Sequence, residues 1–169
     1  MHGLPAAPWI DYRQIYFDRH MAASANSYDE TLGWVLTEDR GLGSDFSTIE
    51  HGIRKNNRDT VLIKEGILAT GDSFTAGSEV ANSESWPAHL EVLLDRPVMN
   101  GGVGGYGTDQ IILRAEKLIP KLSPKIVILG FLDQDILRSG YSSYGAQKPW
   151  YSFSQSGLEL HNVPVPLPS

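Results

Sequence analysis

Short apolar runs and amphipathic stretches alternate along the chain from about residue 60 onward. Gly66-Ile67-Leu68-Ala69-Thr70, closed by Gly71, has the length and bounds of a buried strand. After a polar loop, Ser85 can cap a helix whose first turn tolerates Pro87, and Trp86, Leu90, Leu93 and Leu94 follow at i, i+4, i+7 and i+8 as one apolar stripe. Pro97-Val98-Met99-Asn100 is the next short strand. Beyond a glycine loop, Thr108 can cap a second helix with Ile111, Ile112, Ala115, Leu118 and Ile119 on one side and Pro120 as its stop. Lys125-Ile126-Val127-Ile128-Leu129-Gly130-Phe131 has the unbroken apolar character of a central parallel strand.

The order strand, helix, strand, helix, strand predicts an α/β sandwich, with helices on both faces of a mainly parallel sheet. Residues 61–169 form this core, and residues 1–60 are an extension packed on it. There, Leu32 to Leu36 and Phe46 to Ile53 are expected to pair as a hairpin, and Tyr12 to His20 to be helical. Gly157 to His161 alternates like a hairpin strand, with Glu159 on the face of His161. The terminal Val163-Pro164-Val165-Pro166-Leu167-Pro168-Ser169 can only be extended.

Composition narrows the function. The 169 residues carry 14 Lys plus Arg against 20 Asp plus Glu, a net charge of −6. Basic residues cluster only at Arg54-Lys55 and Arg58, so the electrostatic footprint of a nucleic-acid binder is missing. With 41% hydrophobic and 20% charged residues, the chain can bury a real core. No cysteine is present, which removes disulfides, thiolate metal sites and a cysteine nucleophile. No apolar run approaches the ~20 residues of a membrane span, and Met1-His2-Gly3 does not begin a signal peptide. A soluble protein is expected, cytoplasmic by default and exported if a leader was removed.

In a parallel sheet ligands gather at the carboxyl ends of the strands, where three loops should converge. The first is Gly71-Asp72-Ser73-Phe74-Thr75, the second runs from Gly101 to Gly107, and the third is Leu132-Asp133-Gln134-Asp135. A serine on a sharp turn between strand and helix exposes its Oγ and aims its own N–H at a possible oxyanion, which fits Ser73. A glycine loop can add a second N–H and a third loop an amide side chain, with Gly105 and Gln134 as candidates. Asp72 and Asp135 are expected to contact the substrate.

These stretches resemble the SGNH, or GDSL-type, serine hydrolases. The matching residues are Gly71-Asp72-Ser73-Phe74-Thr75-Ala76-Gly77, Asn100 to Thr108, and Val127 to Asp135, so the resemblance covers roughly residues 60 to 138. It implies a flavodoxin-like three-layer fold and hydrolysis of an acyl ester or an acylated carbohydrate. Ser73 would be the nucleophile, with the N–H groups of Ser73 and Gly105 in the oxyanion hole and no cofactor or metal. The chain departs from the family twice. Gln134 stands where the family has Asn, so the amide sits one methylene further out, and a shift of about 1 Å can cost ~10²-fold in rate. No Asp-x-x-His occurs: His161 comes late enough, but Leu158 precedes it by three residues. Without a base Ser73 stays a weak nucleophile. The natural chain is expected to continue past Ser169 and supply that loop; the alternative is a non-catalytic binding or structural domain.

Other chemistries fit less well. Gly102-x-Gly104-x-x-Gly107 matches a dinucleotide fingerprint, but its helix begins after the motif rather than within it. No Lys follows Gly77 as a P-loop requires, and Thr75 stands where an α/β-hydrolase elbow needs glycine. Asp133 and Asp135 suit a solvated loop or a helix cap better than a metal. Tyr141, Tyr144, Trp150, Tyr151 and Phe153 could line a groove or cover the sheet edge.

Overall fold

The computed structural model describes residues 26–41 and 45–167. The helix expected over Tyr12 to His20 lies outside these residues. The chain forms an α/β fold around a five-stranded sheet, with helices on both faces. In chain order the elements are β1 (Asn26–Asp29), β2 (Gly33–Leu36), β3 (Thr48–Ile49), β4 (Ile53–Arg54), β5 (Ile67–Gly71), α1 (Ser73–Ala76), α2 (Trp86–Leu94), β6 (Val98–Asn100), α3 (Thr108–Leu122), β7 (Ile126–Gly130), α4 (Asp133–Arg138), β8 (Trp150–Ser154) and β9 (Gly157–His161). The sheet order is β3-β4-β6-β5-β7, with β6, β5 and β7 parallel and the β3–β4 hairpin antiparallel on the β6 side.

Side-chain alternation on β5 assigns the two faces. Leu68 joins Met99 of β6 against Leu118 and Leu122 of α3, while Ile67, Ala69 and Val98 meet Trp86 and Leu90 of α2. The helices after β5 and β6 therefore cover opposite faces. Adjacent strands whose connections leave in opposite directions open a crevice at their carboxyl ends. Here that crevice lies between the Ser73 turn and the glycine loop.

Several expectations are corrected. β7 is an edge strand rather than a central one, and Ile126, Val127 and Leu129 are 44%, 37% and 41% exposed. An apolar run does not tell whether one or both edges of a strand are paired, and among the described residues β7 pairs with β5 alone. The α2 stripe is covered over Trp86 and Leu90, which pack on Ile67, Ala69 and Val98, but not at Leu93, which is 80% exposed. Pro120 does not stop α3, which runs on to Leu122 and ends at Ser123 in the left-handed region (φ 46°). In a last turn proline forfeits one backbone hydrogen bond while its fixed φ still suits a helix. Gly107, not Thr108, occupies the cap position.

The N-terminal pairing also differs, with two hairpins in place of one. β1 pairs with β2, its turn closed by Asp29, whose Oδ1 accepts the N–H groups of Thr31 and Leu32 at 3.0 Å each. The β3–β4 hairpin joins the main sheet, Arg54 standing opposite Asn100. Arg54, one of the few clustered basic residues, is fully buried, and burial pulls its guanidinium down to about 10. It is served by carbonyls, donating to those of Ala76, Gly77 and Val80 and so gripping the end of α1. The β8–β9 hairpin forms as expected. The proline-rich segment is extended and anchored on the first hairpin: Val165 is 2% exposed, its N–H donates to the Glu30 carbonyl, and its carbonyl accepts from Tyr28 Oη.

Candidate active site

The Ser73 turn is built by close approach. Asp72 caps α1, its Oδ1 accepting the Phe74 N–H at 2.9 Å. A Cβ at Gly71 would lie 2.0 Å from Thr75 Oγ1 and 2.7 Å from the Gly130 carbonyl oxygen, so only glycine lets β5 and β7 end this close to the turn. Ser73 is half-buried, in the first turn of α1.

The glycine loop is laid against that turn by two backbone bonds, from Gly101 N–H to Ala69 O (2.7 Å) and from Val103 N–H to Gly71 O (2.9 Å). A Cβ on Gly102 would sit 2.4 Å from the Ala76 nitrogen, so the loop crosses α1 with no room for a side chain. At Gly104 the added atom would be 3.8 Å from Ser73 Cβ. The Gly104-Gly105 peptide and the serine thus border one space. Neither the Ser73 N–H nor the Gly105 N–H meets an acceptor among the described residues. Two unspent donors beside a half-exposed hydroxyl are the elements of an oxyanion site.

The third loop contributes differently from expectation. Gln134 is exposed on the first turn of α4, its N–H turned to Asp133 Oδ1 at 2.8 Å, and its side-chain amide has no hydrogen-bond partner among the described residues. Asp72 and Asp135, expected to meet substrate, are instead buried and turned inward. Arg138 lies between them, with Nη1 2.6 Å from Asp135 Oδ1 and 3.6 Å from Asp72 Oδ2. The same nitrogen donates to the Tyr106 carbonyl (3.2 Å), and the guanidinium lies over the Tyr144 ring. One cation therefore ties all three loops together. Burial pushes the Asp135 carboxyl upward and the Asp72 charge adds to that, while the Leu132 N–H and Arg138 pull the other way; the net direction is up.

A second buried cation pairs with the first turn of α3. Lys148 is fully buried, 2.5 Å from Asp109 Oδ2 and bonded to the Arg138, Tyr141 and Pro149 carbonyls. Burial lowers its ammonium, and Asp109 opposes that. Sequence reasoning missed both residues. Arg138 follows Asp135 by one helical turn, a spacing that signals an ion pair, whereas nothing local links Lys148 to Asp109.

None of the described histidines bonds Ser73. His161 accepts or donates with Ser152 Oγ at 2.6 Å and stacks on Trp150 at 4.4 Å. His51 faces Glu38 and Glu50, and His89 is exposed on α2. Of the aromatic residues, Tyr151 packs on the cluster around Trp34, while Phe153 is exposed. Among the described residues no group of three His, Asp or Glu could hold a metal, and no helix is long and apolar enough to cross a membrane. A separate cleft of about 290 Å³, lined by Asn57, Glu91 and Arg96 among others, includes Pro97 at the amino end of β6, the far end of the sheet from Ser73.

No protein-family model and no curated protein matches the chain. Among solved structures it is similar to AlinE4, described as an SGNH-hydrolase family esterase, and to a point mutant of that esterase. Each likeness has 30% identity and a TM-score of 0.40, covering 47% of this chain and 46% of the other. The match thus spans less than half the length of those esterases.

Proposed function

We propose that this chain carries the acyl-transfer site of a serine ester hydrolase acting on an acyl ester or an acylated carbohydrate. The observation that supports this reading best is the crevice itself, where the Ser73 hydroxyl stands beside the Gly104-Gly105 peptide with two uncommitted backbone N–H groups. In this reading Ser73 Oγ attacks the ester carbonyl, and the carbonyl oxygen, as it becomes negative, is stabilised by the N–H groups of Ser73 and Gly105. Gln134 is the third donor once its amide swings in from the exposed turn of α4. Asp72 and Asp135 hold the loops through Arg138.

No described histidine activates Ser73, so turnover by this chain alone is expected to be slow. Covalent chemistry tests the site without needing turnover. An activated fluorophosphonate should modify Ser73, located by mass spectrometry, and Ser73→Ala should remove both the label and any hydrolysis of a short-chain aryl ester. Hydrolysis unaffected by Ser73→Ala would place the activity at another site or in a contaminant, and a label that never reaches Ser73 at millimolar reagent would leave a non-catalytic binding domain as the better account.

A further inference from the structure

The donor assigned to Gly105 depends on which way one peptide unit faces. Gly104 and Gly105 are the central residues of a turn from Val103 to Tyr106, and Gly105 is the one in the positive-φ region (φ 78°). That is the sign pattern of a type II turn. A type I turn follows the same chain path with the central peptide turned over. With glycine on both sides of this peptide, sterics barely choose between the two. Something else must, because the flip exchanges a donor for an acceptor. In a planar trans peptide the C=O of Gly104 and the N–H of Gly105 point in opposite directions, so a flip would present a carbonyl where an N–H now stands.

The carbonyl is held by Trp34. Its indole Nε1–H donates to Gly104 O at 3.0 Å, and the ring is fully buried on β2, about seventy residues away in the chain. Trp34 also fixes the end of the turn, since its backbone carbonyl accepts from Tyr106 Oη at 2.6 Å and the two rings meet edge to face at 5.7 Å. Tyr106 is itself fully buried, and burial pushes its phenol well above the usual range, so it stays a neutral donor. The turn is bracketed at both ends by one side chain of the first hairpin.

We infer that Trp34 is a positioning residue: it locks the Gly104-Gly105 peptide in the type II orientation and so keeps the Gly105 N–H available as a donor beside Ser73. The inference about orientation stands on the geometry, and its consequence for reactivity rests on the proposed function. Loss of one oxyanion donor typically costs ~10²–10³ in rate, and partial flipping should cost on the order of tenfold or more.

The test is the residual dipolar coupling of the Gly105 N–H in weakly aligned, 15N-labelled protein, paired with the rate of Ser73 modification by a fluorophosphonate. Trp34→Phe keeps an aromatic ring and deletes the donor. It should move the coupling toward the flipped orientation and slow Ser73 labelling about tenfold. Should Trp34→Phe fail to fold, 3-benzothienylalanine in place of Trp34 supplies the second route, because it keeps the bicyclic shape of the indole and deletes the same N–H. Couplings unchanged from wild type in either folded variant overturn the inference. A coupling that moves while labelling keeps its wild-type rate confirms the lock and counts against the proposed function. Wild-type protein that never labels at Ser73 refutes the proposed function, and the coupling still decides whether Trp34 sets the peptide.

Discussion

β5 and β7 lie side by side in perfect parallel register, Ile67 against Ile126 through Gly71 against Gly130, and both read as short apolar runs. Every residue of β5 is buried, whereas no residue of β7 is. The difference continues into the layers above and below. Around β5 and β6 the molecule is sealed by Trp34, by the buried cations Arg54, Arg114 and Lys148, and by hydrogen bonds from loops distant in sequence. Around β7 the covering is thin, and Ile126, Val127 and Leu129 of the strand itself stay exposed. The candidate active site belongs to the sealed flank. Its donors need fixed directions, and fixed directions come from buried, hydrogen-bonded surroundings.

The largest effect that would sharpen this contrast is expected at Lys148. Lys148→Ala leaves the Asp109 carboxylate buried without its cation and removes the bonds to three carbonyls, a loss of about 3–5 kcal/mol readable by urea unfolding. A cost below about 1 kcal/mol would show that the flank is less sealed than its geometry implies. Core packing comes next. Leu68→Ala on β5 should cost about 2–5 kcal/mol, and Leu129→Ala on β7 about 1 kcal/mol. Equal losses would break the comparison outright, since they would mean β7 is covered in solution.

A smaller effect concerns Asp29, which pins the first hairpin to α3 through Lys117 at 2.5 Å. Burial pushes this carboxyl up, but the Lys117 bond and the N–H groups of Leu32 and Thr31 more than offset it, so its value in the folded chain lies below the ordinary 3.8. The unfolded chain therefore binds the proton more readily. The stabilisation is fully present above pH ~4 and is lost as pH falls through the lower folded value. Asp29→Asn should flatten that acid limb of the stability profile, and an unchanged limb would locate it in other carboxylates. Smallest of all, Leu93→Ser should change stability by no more than about 0.5 kcal/mol, because that side chain is already in solvent.

The sequence by itself determined the succession of strands and helices from β5 to β7, with α2 and α3 between them, and the Ser85 cap of α2. Each depends on residues a few positions apart, whose effects on backbone conformation are local. Strand order, and with it the exposure of β7, was decided by the tertiary structure, because an apolar run looks the same whether one edge or both are paired. So were the inward turn of Asp72 and Asp135, the Lys148–Asp109 pair and the hold of Trp34 on Gly104, since desolvated charges and indole donors find partners through space. The peptide orientation at Gly105 shows the division most clearly. Two glycines permit both orientations, and the choice falls to a side chain brought there by the packing of the first hairpin against the core.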